Sequence, residues 1–183
     1  RTMPRCLDCD VDTKEQKWRM SLQQNAKGLG GTMEAVAQQL SLSRRDEERP
    51  VLYLPGNAGR VVGVEDWIFE NPEHLRDVDV FQVLALGPAS GWEKAVLGGV
   101  GIVTPFIGPG VRRLVNAGLA RNIRCNLSQV HRLFEGRWRP DVAVAHTSLP
   151  DEHGRVTLGL NAGIDFAPVT QARFKVAMVN AQM

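Results

Sequence analysis

From Pro50 onwards, the chain alternates short apolar runs with amphipathic segments, and this alternation restricts its fold more than any other feature. Apolar runs of about four to eight residues are typical of strands that are buried on both faces. The segments between them have the length and spacing of surface helices, and chains with this order form a parallel sheet flanked by helices. We therefore predict an open, mainly parallel α/β domain over residues 50–183, preceded by a helical or irregular segment over residues 1–49.

The predicted elements follow from the apolar runs and from the residues that usually begin helices. Thr32 precedes one helical pattern and Ser128 begins another, and both are residue types that cap helix N-termini. Strands are predicted at Val51–Leu54, 78–86, 101–106, 122–125, Val142–Thr147 and 175–179, and helices at 15–24, 33–40, 64–70, 110–117, 128–135 and 164–173.

The length and charge of the chain limit the classes of protein to which it can belong. With 183 residues, of which 43% are hydrophobic and 23% charged, it is long enough for one domain with a full core. A formal net charge of +2 gives no electrostatic reason to expect a nucleic acid partner. No apolar run approaches the roughly 18 residues of a membrane span, and the N-terminus lacks the apolar core of a signal peptide. We therefore expect a cytoplasmic protein without membrane contact.

The three cysteines, an odd number, suit a reducing compartment better than a disulfide-bonded secreted domain. Cys6 and Cys9 form a C-x-x-C pattern, but neither the four ligands of a zinc site nor the βαβ context of a redox motif surrounds them. We therefore predict no metal site. Cys125 ends an apolar stretch and is expected in the core. Because residue 1 is arginine rather than methionine, we also expect a processed or truncated start.

Five separated blocks occur in the order found in one enzyme family. The most specific of them spans residues 141–154 and reads DVAVAHTSLPDEHG, a buried-looking strand that runs into a polar loop. The others read FIGPGVR at residues 106–112, VNAG at 115–118, NLS at 126–128 and VNAQM at 179–183. Across residues 50–183, the chain thus resembles the acetyl-CoA hydrolase/transferase family of CoA-transferases.

The resemblance implies that this chain is the N-terminal half of a two-domain enzyme, with an α/β fold shared by CoA-transferases and certain sugar-phosphate isomerases. In the family, a glutamate of the second domain attacks the acyl-CoA thioester, giving an acyl anhydride and then a glutamyl-CoA thioester. A carboxylate, or water in hydrolase-like members, completes the turnover. Nothing here matches the glycine-rich motif of that glutamate, so we expect it beyond Met183 and assign no catalytic residue to this chain.

Coenzyme A enters this chemistry as a substrate, and the resemblance implies no cofactor. The implied partners are acyl-CoA, small carboxylates and the C-terminal domain. A half-enzyme should expose the apolar face that its other domain covers, so we also expect the chain to form homo-oligomers.

The loop at residues 55–59 is the first candidate binding site. Gly56, Asn57 and Ala58 follow an apolar strand and precede a helix, so their backbone N–H groups could face a negative group at the carboxyl edge of the sheet. A tight turn without a ligand explains the spacing equally well, since the G-x-G-x-x-G dinucleotide pattern is missing. The resemblance favours binding, because CoA-transferases carry a glycine-rich turn after their first core strand, facing the cleft between the domains.

Two further strand-to-loop junctions are candidate substrate contacts. Gly87 and Ser90 follow the second predicted core strand, and Gly108 follows the third, with Arg112 and Arg113 just beyond it. Each junction would lie at the carboxyl edge of the sheet, where open α/β sheets place their ligands. A plain connecting turn is the alternative for Gly87 and Ser90. Arg112 stays open between a substrate contact and a solvated side chain, whereas Arg113 is expected to be solvated.

Asp151, Glu152 and His153 are adjacent in one loop and would point in different directions, whereas the members of a catalytic triad converge from separate elements. A Pro-Asp-x-x-Gly run is first of all a turn, in which Asp151 caps backbone N–H groups and Gly154 takes a positive φ. We therefore predict a structural role for this loop. His146, in the strand before it, is expected at the edge of the core. No G-x-S-x-G elbow is present, which disfavours a serine hydrolase.

Two other functions stay open at this point. The chain could be a non-catalytic ligand-sensing domain on the same fold, or a separate subunit of a two-chain CoA-transferase. The downstream coding sequence would distinguish them. A second α/β domain with a glycine-flanked glutamate supports the enzyme, a DNA-binding helix pair supports the sensor, and an early stop codon supports the separate subunit.

Overall fold

An eight-stranded sheet organises the protein. The structure is a computed structural model, and it describes residues 4–12, 17–23, 28–44 and 48–183. The strands follow one another in the sheet in the order β2-β1-β8-β7-β3-β4-β5-β6. Their bounds are Pro4–Asp12 (β1), Lys17–Gln23 (β2), Val51–Leu54 (β3), Asp79–Gln82 (β4), Gly101–Thr104 (β5), Arg121–Asn122 (β6), Val142–Thr147 (β7) and Phe174–Val179 (β8).

Strands β3 to β8 pair in parallel, whereas β1 pairs antiparallel with both β2 and β8. The predicted open, mainly parallel α/β sheet is therefore confirmed. Parallel neighbours need crossover connections, and helices supply them or cover the sheet faces. The helices are α1 (Gly28–Leu42), α2 (Val62–Glu70), α3 (Ala89–Leu97), α4 (Arg112–Asn116), α5 (Val130–Leu133) and α6 (Ala162–Gln171).

The side chains of the central strands alternate between two cores, one on each face of the sheet. In β3, Leu52 and Leu54 belong to the first core, and Val51 and Tyr53 belong to the second. This alternation is the period of two that a strand imposes, and it explains why β3 reads as a continuous apolar run. The helix residues that complete the first core include Met33, Ile68, Trp92 and Leu114, and those of the second include Val130 and Val169.

The helix predicted over residues 15–24 is wrong for most of its length, because residues Lys17–Gln23 form β2. The sequence KWRMSLQ alternates polar and apolar residues strictly, which is the pattern of a strand with one buried face. Strand β2 extends the sheet through β1, so the N-terminal segment contributes strands as well as a helix. The division of the chain at residue 50 stays a prediction.

Two predicted helix caps are also wrong. Helix α1 already begins at Gly28, so Thr32 lies inside it, where its hydroxyl donates a hydrogen bond of 2.9 Å to the Gly28 carbonyl. Asn126, rather than Ser128, caps the turn before α5, in a capping box with the Gln129 side chain. In this box, Asn126 N donates to Gln129 Oε1 at 3.3 Å. The second error comes from a neighbouring polar residue, Asn126, that is an equally good cap by type. The first arises because Gly28, Gly30 and Gly31, which usually interrupt helices, lie within α1.

Strands β4 and β5 end at Gln82 and Thr104, several residues before the predicted ends. Beyond these points the chain turns away from the sheet, and Leu84 and Phe106 form a single isolated bridge. These two early strand ends create the loops that surround the candidate site. Among the described residues, no helix is long and apolar enough to cross a membrane.

Candidate active site at the carboxyl edge of the sheet

A cavity of about 220 Å³ lies at the carboxyl ends of β3, β4 and β5. Loops that follow these strands form one side of it, and the segment before α5 and the start of α6 form the other. Open α/β sheets place their ligands at this edge. The lining is mainly apolar and consists of Gly56, Asn57, Val83, Leu84, Phe106, Leu127, Asn161 and Ile164.

The glycine loop after β3 is fixed by contacts with β4 and α6. Asn57 N donates to the Leu84 carbonyl at 3.1 Å, and the buried Asn161 Nδ2 donates to the Gly56 carbonyl at 2.8 Å. A Cβ added to Gly56 would lie 2.8 Å from the Leu84 carbonyl oxygen. Because the φ of Gly56 is −100°, the position requires glycine for this close backbone approach, not for a left-handed conformation.

A buried polar network supports the loop from below. The Tyr53 hydroxyl donates to Asp165 Oδ1 at 2.6 Å, and Asp165 is 0% exposed. Burial raises the pKa of Asp165 to about 6, although the Tyr53 hydroxyl and the Asn161 side chain both oppose this rise. Burial, with the neighbouring Asp165, likewise raises the pKa of Tyr53 well above its ordinary value. The network therefore holds a carboxyl that is close to its titration point near neutral pH, one helical turn from Asn161.

A second buried network lies under the loop after β4. The Glu65 carboxylate is 1% exposed and accepts hydrogen bonds from Arg60 Nε and Nη2, with the Nε contact at 3.1 Å. Gln82 Nε2 donates to Glu65 Oε1 and to the Pro55 carbonyl, both at 2.9 Å. Removing either partner of this ion pair would leave a buried charge, so the network constrains both loops rather than presenting a free catalytic group.

The predicted contact residues separate into two groups. Gly56 and Asn57 line the cavity, whereas Ala58 lies beside it, exposed, in a short 3₁₀ turn. Gly87 is buried, and an added Cβ there would lie 2.9 Å from Glu65 Oε2. Gly108 is also buried, and its added Cβ would overlap the Ala85 carbonyl. Close packing alone accounts for these two glycines, so their contact with a ligand stays a prediction.

Ser90, Arg112 and Arg113 are exposed at the same edge but do not belong to the cavity lining that the structure describes. Ser90 is in the first turn of α3, and both arginines begin α4. Their roles therefore also stay predictions.

The sequence predicted two of the eight residues that line the cavity, Gly56 and Asn57. Phe106 and Leu127 belong to blocks that carry the family resemblance, but nothing in the sequence places them side by side. Asn161 and Ile164 carry no local signal at all, because their place in the site depends on how α6 docks against a loop about 105 residues away. Leu84 and Phe106 lie inside the predicted strands but two residues beyond the observed ends of β4 and β5, so correct strand ends would have placed them in the loops.

The loop after β7 forms the turn that the sequence predicts. The backbone N–H groups of His153 and Arg155 donate to Asp151 Oδ1 at 2.9 and 2.8 Å, and Gly154 has a φ of +75°. The Arg155 backbone N–H contributes most to lowering the pKa of Asp151. His146, near the end of β7, is half-buried, and this burial lowers its pKa despite a hydrogen bond with the Gly59 backbone. These contacts agree with the structural role predicted for Asp151 and the core-edge position predicted for His146.

Of the three cysteines, the structure describes the side chain of Cys125. Cys125 is half-buried against the second core, and burial raises its pKa, as suits an inert thiol. The prediction that Cys6 and Cys9 bind no metal stays a prediction, because the structure describes the backbone of this segment but not its side chains.

Six exposed apolar side chains lie along the carboxyl edge of the sheet, and one of them, Leu127, also lines the cavity. Each lies in a segment that follows the carboxyl end of a parallel strand, and their exposed fractions range from 38% for Ile107 to 89% for Leu160. Other exposed apolar residues, such as Leu42, Leu97 and Leu119, lie outside this group, and scattered exposed apolar residues are ordinary. This apolar rim consists of Leu86, Ile107, Leu127, Leu149, Leu160 and Met183.

Comparison with known proteins agrees with this geometry. Residues 51–183 match the model of the acetyl-CoA hydrolase/transferase N-terminal domain. No match was found among curated proteins. Among solved structures, 4-hydroxybutyrate CoA-transferase from Porphyromonas gingivalis is similar over 82% of this chain and 32% of its own, with 22% identity and a TM-score of 0.55. RipA from Yersinia pestis is similar over 80% of this chain and 36% of its own, with 16% identity and a TM-score of 0.57. The chain therefore spans about a third of the length of these structures and shares their fold.

Proposed function

Because the chain belongs to the acetyl-CoA hydrolase/transferase family, as its N-terminal domain, we propose that it forms one wall of the acyl-CoA cleft of a two-domain CoA-transferase or acyl-CoA hydrolase. The family membership confirms the resemblance seen in the sequence. The cleft, the substrates and the second domain go beyond it and are the content of the proposal.

The observation that carries the proposal is the cavity at the carboxyl edge, with the glycine loop in its wall and the apolar rim along the same edge. The cavity is mainly apolar, which suits an acyl group or the pantetheine arm of coenzyme A. The Asn57 side chain is exposed and makes no hydrogen bond to the part of the chain that the structure describes. Its amide is therefore available to the polar groups of a ligand.

The chemistry of the family divides the work between two domains. The proposed role of this chain is to bind and orient the thioester, while a glutamate of a C-terminal domain supplies the nucleophile. Covalent transfer through an anhydride splits one difficult exchange into easier steps. In a transferase it also requires that water is kept from the intermediates, whereas in a hydrolase water is the final acceptor. In the proposal, the apolar rim packs against the second domain and closes the cleft.

The proposal is tested by placing a charge at the cavity mouth of the complete protein. Leu127 is 61% exposed, so Leu127→Glu should fold normally while its carboxylate repels the anionic substrate and disfavours burial against it. We expect the KM for acetyl-CoA to rise about tenfold, the equivalent of about 1.4 kcal/mol. The matched control is Leu119→Glu, which changes a 56% exposed leucine in the connection between α4 and β6.

Equal turnover by both variants and the unchanged protein would contradict the cleft assignment.

A further test uses the 183-residue chain by itself, which should neither transfer coenzyme A nor hydrolyse acetyl-CoA, because it contributes binding but no nucleophile. Turnover by this chain that is lost on His153→Ala would instead make the loop after β7 catalytic. A DNA-binding segment downstream, in place of a second α/β domain, would favour the ligand-sensing alternative.

A further inference from the structure

A second cavity, also of about 220 Å³, lies at the opposite edge of the sheet. Its walls come from the segments that enter β3, β7 and β8, so it is at the amino ends of these strands. The charged lining comprises four arginines and two carboxylates. These residues are Arg49, Arg137, Arg139, Arg173, Glu48 and Asp141. Asp77 and Asp79 contact these arginines from outside the lining and bring the formal charge of the cluster to zero.

Buried contacts hold two of the arginines in place. Asp79 is 2% exposed, and its carboxylate lies 3.5 Å from Arg49 Nη1 and 3.6 Å from Arg137 Nη2. The Arg137 guanidinium also stacks on Trp138, with 4.7 Å between its central carbon and the ring centre. Arg49 is fixed further by a hydrogen bond of 2.9 Å to Asp77. Carboxylates therefore anchor two of the four arginines, although Arg137, which is one of the two, is exposed at the cavity, as are Arg139 and Arg173.

Most donors of the other guanidinium groups are unused in the described part of the chain. Each arginine has five N–H donors. Arg139 uses its Nε for a hydrogen bond of 2.9 Å to the Gln171 carbonyl. Arg173 lies 3.8 Å from Asp141, and Arg137 lies at least 3.6 Å from its carboxylate neighbours, which are distances too long for good hydrogen bonds. Several charged donors from separate segments thus converge on one cavity.

We propose that this amino-edge cavity binds a phosphate group, either as inorganic phosphate or as a phosphate monoester. A phosphate presents several oxygens that accept from more than one guanidinium, and most donors of Arg137, Arg139 and Arg173 are unused in the described part of the chain. The site is separate from the acyl-CoA cavity, which opens at the other edge of the sheet. An anion bound here therefore does not compete with acyl-CoA, and the inference does not depend on the proposed function.

The test is calorimetric titration of the complete protein with inorganic phosphate at constant ionic strength, with chloride as the reference anion. Arg139→Gln is the informative variant, because no ion pair of Arg139 is found among the described residues and its loss strands no buried charge. We expect its Kd for phosphate to rise about tenfold, as for the loss of one charge-assisted hydrogen bond. Arg139→Lys should give an intermediate value, because lysine keeps the charge but not the planar donors.

Arg113→Gln is the matched control, since Arg113 is exposed at the carboxyl edge, and it should bind phosphate as the unchanged protein does. Titration with phenyl phosphate separates the two sources, because an ester site binds it more tightly than inorganic phosphate. Melting curves without phosphate establish that each variant is folded. If Arg139→Gln is not folded, Arg139→Lys replaces it as the test variant. Binding no stronger than that of chloride, or equal phosphate affinity in the unchanged protein and both Arg139 variants, would overturn the proposal.

Discussion

Asp165→Asn should stabilise the protein at neutral pH but not at acidic pH. Asp165 is fully buried under the glycine loop, and burial raises its pKa to about 6 from an ordinary 3.8. An acid whose pKa is raised by folding favours the folded state below its unfolded pKa, and this advantage is lost as the pH rises through the folded pKa. The difference between the two pKa values corresponds to about 3 kcal/mol of folding stability, and this stability is lost mainly as the pH rises from about 4 to about 6.

Asparagine keeps an oxygen that can accept the Tyr53 hydroxyl but carries no titrating proton. The free energy of unfolding of Asp165→Asn, relative to the unchanged chain, should therefore rise by about 3 kcal/mol from about pH 3.5 to about pH 7.5. Urea unfolding followed by circular dichroism at each pH measures this difference. Asp151→Asn is a control of opposite sign, because folding lowers the pKa of Asp151 and its stabilising effect is lost as the pH falls. A difference for Asp165→Asn that is the same at both pH values would refute the reasoning.

Three further predictions concern packing and association. Gly91→Ala should lower the free energy of unfolding by about 1–3 kcal/mol, because the added Cβ would overlap the Phe69 ring. Gly136→Ala is the control and should change this free energy little, because no atom lies near its added Cβ. Urea unfolding of both variants measures the two changes. Asn161→Leu should cost about 1–3 kcal/mol in the same assay, since the buried Gly56 carbonyl loses its donor; an unchanged midpoint would contradict this. The 183-residue chain alone should self-associate through its apolar rim, and sedimentation showing a monomer over a wide concentration range would contradict that.

The strands buried on both faces were the most predictable part of the fold. The bounds of β3 and β7 agree with the prediction to the residue. Strand β3 is a continuous apolar run between two prolines, and β7 begins with four apolar residues directly after Asp141. Helix α3 was not predicted, because Gly91 lies within it and glycine is unfavourable in helices. The helix also buries few side chains, among them Trp92 and Ala95, so its apolar pattern is weak. The strand Lys17–Gln23 was misread because a short alternating pattern was given the period of a helix.

The candidate site was predictable where it follows directly from a strand end and unpredictable where it depends on docking. Gly56 and Asn57 come immediately after a recognisable strand, and both line the cavity. Asn161 holds the same loop from the opposite side, but an isolated asparagine between two helical segments has no local property that marks it. Its role exists only in the assembled fold, so composition and spacing could not reveal it.

The anchoring of the glycine loop has a consequence for the order in which the protein folds. The hydrogen bonds of Asn161 to Gly56 and of Asp165 to Tyr53 span 105 and 112 residues. Closing such long loops costs entropy before any contact repays it, so we expect these bonds to form after the contact between Asn57 and Leu84, which spans 27 residues. Until α6 docks, the glycine loop is held by the hydrogen bond from Asn57 to Leu84 but lacks the one from Asn161 to Gly56. This applies both to refolding and to folding during synthesis. The part of the domain nearest to its proposed substrate is thus among the last to reach its final shape.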